Sequence, residues 1–263
     1  MWQRQFSGLQ GDFSVFTMNT LADQCAKNDS QGFPHVKPEV LQWENRKEHI
    51  ISVIIKHSPD FICLQEIDHW FDWYQPILSN YGYQGVWYNG LENNLSRHGV
   101  ALLWKTAQWT NTQIYSTKYN ESTQVFIAGH FVNKQQTVGI LTTHLKAKAA
   151  FKDIRTTQGK QIIEYINRYQ NQSWVIAGDF NAEPDEEVCK LVPFTSCYDQ
   201  NGFTTKKARD ATVSHIIDYI WYKDLKCVGT LELPDEKLLE WPYLPCEDHP
   251  SDHLHLMANF KFN

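Results

Sequence analysis

The feature that most constrains the fold is a repeated pattern of short apolar stretches that end on a polar residue. Four stretches of strand length end in this way: "VFTMN" at Asn19, "ICLQE" at Glu66, "ILTTH" at His144 and "VIAGDFN" at Asp179 and Asn181. Asp218 interrupts a further apolar stretch, and Asp252 and His253 precede the last one. Strand ends along one sheet edge lie together in space, so the pattern predicts a sheet-rich protein with one polar cleft.

Between these stretches the chain alternates strand and helix patterns. Apolar alternation or apolar runs predict strands at 12–19, 61–66, 98–104, 124–131, 137–144, 173–179, 216–222 and 254–262. Helical spacing of apolar residues runs from Leu41 to Ile55, before Pro59, and from Phe151 to Tyr169. We therefore expect a mixed α/β protein.

Composition limits the classes of protein that need considering. The 263 residues are 42% hydrophobic and contain no linker-like segment, so we expect one domain over residues 1–263. A net charge of −6 argues against a broad surface for duplex DNA. Without a membrane-length apolar run or a signal peptide, we expect an intracellular, cytoplasmic monomer that binds no membrane, or a mitochondrial protein if a targeting segment precedes Met1.

The stretch "GDFN" has two interpretations. Alternation along an extended chain places Asp179 and Asn181 on one face and Phe180 on the other. A carboxylate and an amide that converge suit a hard cation such as Mg²⁺ or a reacting phosphate. An Asx turn that merely ends the strand is equally compatible with these residues.

A shared cleft would assign a role to each polar residue. Glu66 would supply an anionic oxygen to Mg²⁺, with Asn19 as a direct or water-mediated partner. Asp218 would hold the tautomer of His253. The remaining three residues would act on the attacking water or the phosphate oxygens: Asp179, Asn181 and His144. Taken singly, Asn19 or Glu66 is more often a turn or surface residue.

Six motifs, in this order, resemble those of the endonuclease/exonuclease/phosphatase superfamily, and most closely its nocturnin-like branch, which is related to deadenylases. They are "NTLADQ", "LQEID", "THLKA", "GDFNAEP", "HIIDYIWY" and "PSDH". "HLKA" followed by "IRTTQG", and "EVLQWENRK", narrow the resemblance to that branch. The resemblance implies a four-layer α/β sandwich of the DNase I type, with two central mixed sheets. It also implies Mg²⁺, with Mn²⁺ as a substitute, at a metal site of Glu66, Asn19 and Asp252.

Three positions depart from the motifs of that branch. His98 stands where an acidic residue is usual, Lys148 where an arginine contacts substrate phosphate, and Lys206 where a tryptophan is expected. An ammonium group replaces a bidentate guanidinium at Lys148, which would weaken phosphate binding. These departures bear on substrate choice more than on catalysis.

The resemblance implies two substrate classes, the 2′-phosphate of NADP(H) and the 3′ end of single-stranded poly(A) RNA. The first is favoured because Lys146, Lys148 and Arg209 would form a compact cationic pocket, and the chain lacks a basic track for a polynucleotide. Arg155 would either join them or lie on a solvated helix face. Two alternative hypotheses for the function are a DNA-repair or sphingomyelin-type phosphodiesterase and an inactive binding scaffold.

Overall fold

Two mixed β-sheets pack face to face at the centre of the protein. The computed structural model describes residues 4–28, 32–91, 98–134, 136–199, 202–208, 211–234 and 243–263. The first sheet has the strand order β1-β14-β15-β2-β3-β5-β4. Its strands are β1 (Phe6–Gly8), β2 (Phe13–Asn19), β3 (Phe61–Ile67), β4 (Tyr83–Tyr88), β5 (Gly99–Lys105), β14 (Leu225–Leu231) and β15 (Leu256–Phe262).

The second sheet has the strand order β10-β13-β9-β8-β7-β6. Its strands are β6 (Thr110–Lys118), β7 (Val125–Asn133), β8 (Gln136–His144), β9 (Ser173–Asp179), β10 (Thr195–Ser196) and β13 (Asp218–Lys223). A separate hairpin consists of β11 (Thr205–Ala208) and β12 (Thr212–His215).

Helices cover the outer face of each sheet. The α-helices are α1 (Pro38–Leu41), α2 (Trp43–His57), α3 (Gln75–Ser79), α4 (Lys152–Asn167) and α5 (Glu187–Leu191). A π-helical turn, Trp70–Tyr74, precedes α3. None of the helices in the described ranges is long and apolar enough to cross a membrane.

Side-chain alternation divides the core into three layers. In β2, Phe13 and Val15 belong to the apolar cluster between the two sheets, whereas Phe16 and Met18 belong to the cluster that includes residues of α2. In β9, Val175 faces the first sheet, and the opposite face of that strand packs against α4. Because both faces of these strands are buried, their residues are mainly apolar, and the four-layer α/β sandwich is confirmed.

The register of the strands places their polar ends at one edge of the sandwich. β2 runs parallel to β3, and β8 runs parallel to β9 with His144 opposite Asp179. β13 is antiparallel to β9, so Asp218 at its beginning lies opposite Asp179 at the end of β9. Strand ends from both sheets therefore converge at this edge, where the first sheet contributes Asn19 and Glu66.

Candidate active site

Asn19 links the two sheets at this edge. Its Nδ2 donates to Oε1 of Glu66 at 3.1 Å and to Oδ2 of Asp179 at 3.0 Å, and its Oδ1 accepts from the amide of Leu21 at 3.1 Å. The side chain is fully buried. Asn19 therefore orients the two carboxylates, while its role as a direct metal ligand stays a prediction.

Glu66 presents its carboxylate to the cleft from an irregular strand end. Its φ of +58° lies in the left-handed region, at an interruption of the β3–β5 register. Oε2 accepts from the amide of Ala22 at 3.1 Å. Burial alone would raise the pKa of Glu66, but His144 and His98 act against burial and lower it. The carboxylate is therefore charged at neutral pH.

Asp179 and Asn181 form an Asx-type turn that also lines the cleft. The amide of Asn181 donates to Oδ1 of Asp179 at 2.8 Å, and Asn181 has a φ of +49°. Its Nδ2 donates to the carbonyl of Leu145 at 3.1 Å. The preceding Gly178 has a φ of +155°, and a Cβ there would lie 2.1 Å from the carbonyl oxygen of Thr143. The Asx turn expected for "GDFN" is therefore present, and the strand ends before Asn181, whereas binding of a cation or phosphate by these residues stays a prediction.

His253 and Asp218 form a buried pair. Nδ1 of His253 lies 3.1 and 2.9 Å from the two carboxylate oxygens of Asp218, and Nε2 lies 3.8 Å from Oδ2 of Asp179. Burial opposes the imidazolium, but Asp218, Asp252 and Asp179 outweigh burial and raise the pKa of His253 to about 10. Burial also raises the pKa of Asp218. The pair therefore holds its proton at neutral pH.

Asp252 lies beside this pair and forms an ion pair with Lys207. The ammonium Nζ of Lys207 lies 2.5 Å from Oδ2 of Asp252. Burial would raise the pKa of Asp252, yet Lys207 and His253 lower it to about 2. Asp252 is thus anionic and neutralised by a lysine, and its assignment to the metal site stays a prediction.

Helix α4 fixes the loop that carries Lys146. The two residues that bond this loop, Arg155 and Gln158, both belong to the "IRTTQG" motif. Arg155 is buried, donates to Oε2 of Glu186 at 2.6 Å, and donates to the carbonyls of Lys146 and Lys148 at 2.9 and 2.8 Å. Oε1 of Gln158 accepts from the amide of Lys146 at 3.0 Å. Both expectations for Arg155, a phosphate ligand and a solvated side chain, are wrong because its guanidinium is enclosed by these acceptors.

The cleft between the sheets has a volume of about 310 Å³ and brings together most of the residues predicted from the sequence. It is lined by Glu66, His144, Lys146, Asp179, Asn181 and His253. Asp218, Asn19 and Asp252 support these residues from behind. Lys148 is exposed and does not line this cavity, and the predicted ligand Arg209 lies outside the described residues.

Among the cleft-lining residues that were not predicted as site residues, three have ionisable side chains. They are Cys25, His98 and Lys207. The ring of His98 lies nearly parallel to that of His144, with centroids 6.3 Å apart, and Nε2 of Gln24 donates to its Nδ1 at 3.0 Å. His98 could have been predicted from the sequence, because it stands where related sequences usually have an acidic residue. Lys207 could not, because it lies in a hairpin whose position depends on tertiary contacts.

The donor set of the cleft fits a hard divalent cation. Each carboxylate oxygen of Glu66 accepts one hydrogen bond, which leaves lone pairs on the cleft side, and Asp179 adds a further anionic oxygen nearby. Among the described residues, ligand atoms of Asp179, Asp218 and His253 also lie within 4.8 Å of one another, but His253 holds its proton and pairs with Asp218, so this group is not counted among the ligands of the cation. Oxygen-rich, anionic sites of this kind suit Mg²⁺ and Mn²⁺ better than softer metals.

Two packed mixed sheets with carboxylates, amides and histidines at their shared edge define a hydrolase that acts on phosphoester bonds. The sequence matches the Endonuclease/Exonuclease/phosphatase family over residues 17–253. The chain therefore belongs to this family, whose enzymes depend on a metal ion, and is a nocturnin-like member of it.

Two nocturnins show how close this relationship is. Nocturnin from Rattus norvegicus is 33% identical over an alignment of 301 positions, which covers 100% of this chain and 70% of the relative. The structure of the human nocturnin catalytic domain with bound sulfate anion aligns with a TM-score of 0.81 at 30% identity, covering 99% of this chain and 97% of that one.

A structure with lower sequence identity shares the fold. ANGEL2, described as a 2′,3′-cyclic phosphatase, was solved in complex with adenosine-2′,3′-vanadate. It aligns with a TM-score of 0.87 at 21% identity, covering 99% of each chain. At this identity, the similarity concerns the fold alone.

Proposed function

We propose that the protein is a Mg²⁺-dependent phosphoesterase that removes the 2′-phosphate of NADP(H). The observation that carries the proposal is the short cleft itself. Its lining combines the carboxylates of Glu66 and Asp179 with the side chains of Lys146, His144 and His98. A charged phosphate beside a bound cation suits this arrangement, and a volume of about 310 Å³ suits part of one nucleotide.

The protein's own residues supply the proton transfers and hydrogen bonds of hydrolysis. Glu66 would hold a Mg²⁺ ion, which would supply polarisation of the phosphoryl oxygen. Asp179 accepts a proton from the attacking water, and the P–O bond to the 2′-oxygen breaks. His253 carries its proton at neutral pH and donates it to the departing oxygen, while Asp218 keeps the ring oriented.

Further donors stabilise the charge that develops on the phosphate. His144, whose Nε2 lies 3.5 Å from Oδ2 of Asp179, ends β8 and lines the cleft together with Asn181, which follows two residues after the end of β9. Donors held in fixed positions gain most when charge appears only in the transition state. Lys146 adds a positive charge whose loop is fixed by Arg155 and Gln158.

The human nocturnin structure supports a phosphate group as part of the substrate. Its catalytic domain was solved with a bound sulfate anion, which resembles a phosphate in shape and charge. A net charge of −6 gives little attraction for a long polynucleotide. Shortening of poly(A) RNA from its 3′ end is the second candidate, because this reaction also needs a metal, an activated water and phosphate ligands.

Two assays on one preparation separate these functions. Inorganic phosphate release from NADPH and gel-resolved shortening of an oligo(A) RNA are measured with Mg²⁺, with and without EDTA. EDTA-sensitive phosphate release with intact RNA supports the proposal. Stepwise RNA shortening without phosphate release would replace it by the exoribonuclease, and inactivity in both assays would favour a binding scaffold.

A matched pair of lysines tests the substrate pocket. Lys146 lines the cleft and Lys148 is exposed two residues away. Lys146→Met should raise KM for NADPH clearly more than Lys148→Met, because only the first removes a charge from the cleft. Equal effects of the two substitutions on KM would refute the place given to Lys146.

A further inference from the structure

Lys207 reaches the cleft from a hairpin that is fixed to the segment carrying Asp252. Oγ1 of Thr205 donates to the carbonyl of Asp252 at 2.7 Å, and the amide of Leu254 donates to the carbonyl of Thr204 at 2.7 Å. Lys207 follows two residues after Thr205 in β11. The backbone of Lys207 is therefore held in place, whereas its partly exposed ammonium end lines the cleft.

The ammonium of Lys207 contacts a carboxylate that is predicted to hold the cation. It pairs with Asp252 at 2.5 Å. Lys207, Glu66 and Asp179 also line the same cavity. The ammonium group is therefore paired with one carboxylate predicted for the metal site and shares the cleft with two more.

We propose that Lys207 competes electrostatically with the divalent cation for the carboxylates of the cleft, and that an anionic ligand relieves this competition. A lysine and a divalent cation repel each other when both lie close to Glu66 and Asp179. A phosphate or sulfate group that binds in the cleft would neutralise Lys207 and so favour cation binding. Cation and anion would then bind with positive coupling, which must be reciprocal.

Direct cation binding tests the proposal without turnover. Isothermal titration calorimetry with Mn²⁺ compares the wild type with Lys207→Met, which removes the charge, and Lys207→Arg, which keeps it. We expect Lys207→Met to bind Mn²⁺ about tenfold more tightly or better, since removing a unit charge a few ångströms away relieves at least that repulsion. Lys207→Arg should bind like the wild type.

Lys206→Met is the matched control. Lys206 is the neighbouring residue, its ammonium lies 5.7 Å from the ring centroid of Phe203, and Lys206 is not among the residues that line the cleft. Its Mn²⁺ affinity should equal that of the wild type. Thermal unfolding without metal checks that each variant is folded.

A second titration in the presence of sulfate tests the coupling. Sulfate should tighten Mn²⁺ binding in the wild type and leave Lys207→Met unchanged. Unchanged or weaker Mn²⁺ binding by Lys207→Met, or an equal sulfate effect in both proteins, would overturn the proposal. The proposal rests on the proposed cation site but not on the substrate, and only the absence of Mn²⁺ binding in every variant would refute the site as well.

Discussion

Replacing Arg155 by methionine should both destabilise the protein and loosen its substrate loop. Arg155 is 1% exposed and makes bonds to Glu186 at 2.6 and 3.2 Å and to two loop carbonyls at 2.9 and 2.8 Å. The substitution leaves the carboxylate of Glu186, only 9% exposed, without its main partner. Breaking a buried ion pair from one side costs about 3–5 kcal/mol of unfolding free energy.

Thermal and urea unfolding measure this loss. For a chain of this size we expect a decrease in Tm of roughly 6–20 °C, because 1 kcal/mol shifts Tm by about 2–4 °C. Arg168→Met is the matched control, since Arg168 pairs with Glu164 at 3.1 Å with both side chains exposed. That surface pair should contribute less than about 1 kcal/mol.

Kinetics of Arg155→Met give a second readout. The carbonyls of Lys146 and Lys148 lose their donor, so KM for the substrate should rise more than kcat falls. The double variant Arg155→Met/Glu186→Leu should recover stability without restoring KM. A stability loss no larger than that of Arg168→Met, with unchanged KM, would refute the role assigned to Arg155.

Two further predictions concern the histidines. Asp218→Asn should lower kcat by about 10²–10⁴-fold with little change in fold, because the amide cannot hold the protonated ring of His253; steady-state kinetics and circular dichroism check this. Burial lowers the pKa of His249 to about 4 and that of His255 well below 6.5. The unfolded chain therefore binds more protons below pH 6.5, and stability should fall by about 1.4 kcal/mol per pH unit for each of these histidines as the pH drops toward 4. In urea unfolding, His255→Phe should make this acid dependence shallower, and an unchanged slope would contradict it.

The parts of the fold that the sequence predicts are those where burial is strong. β2, β3, β8 and β9 are buried on both faces, so their apolar runs are distinctive and their polar ends stand out. β6 was not predicted, because "TNTQIYSTK" is mostly exposed at a sheet edge and has no apolar alternation. β14 was not predicted either, and its pairing with β15 is interrupted between Cys227 and Gly229.

The parts of the site that the sequence does not predict depend on contacts between distant segments. Asn19 contacts Asp179, 160 residues away, and a sequence pattern does not show that one amide serves both sheets. Arg155 is buried because Glu186 and two loop carbonyls accept its hydrogen bonds. Lys207 enters the cleft only because the β11–β12 hairpin pairs with the segment before β15.

The proposed mechanism requires the carboxylate of Glu66 for metal-dependent hydrolysis of a phosphate ester in this cleft. Phosphate release from NADPH by the wild type and by Glu66→Gln, titrated with Mg²⁺, is the measurement that tests this role, because glutamine keeps the size and an acceptor oxygen but removes the charge. We expect Glu66→Gln to unfold at a temperature close to that of the wild type and to have a kcat reduced by at least about 10²-fold, with weaker Mg²⁺ dependence. A folded Glu66→Gln with the rate and Mg²⁺ dependence of the wild type would show that Glu66 does not have this role.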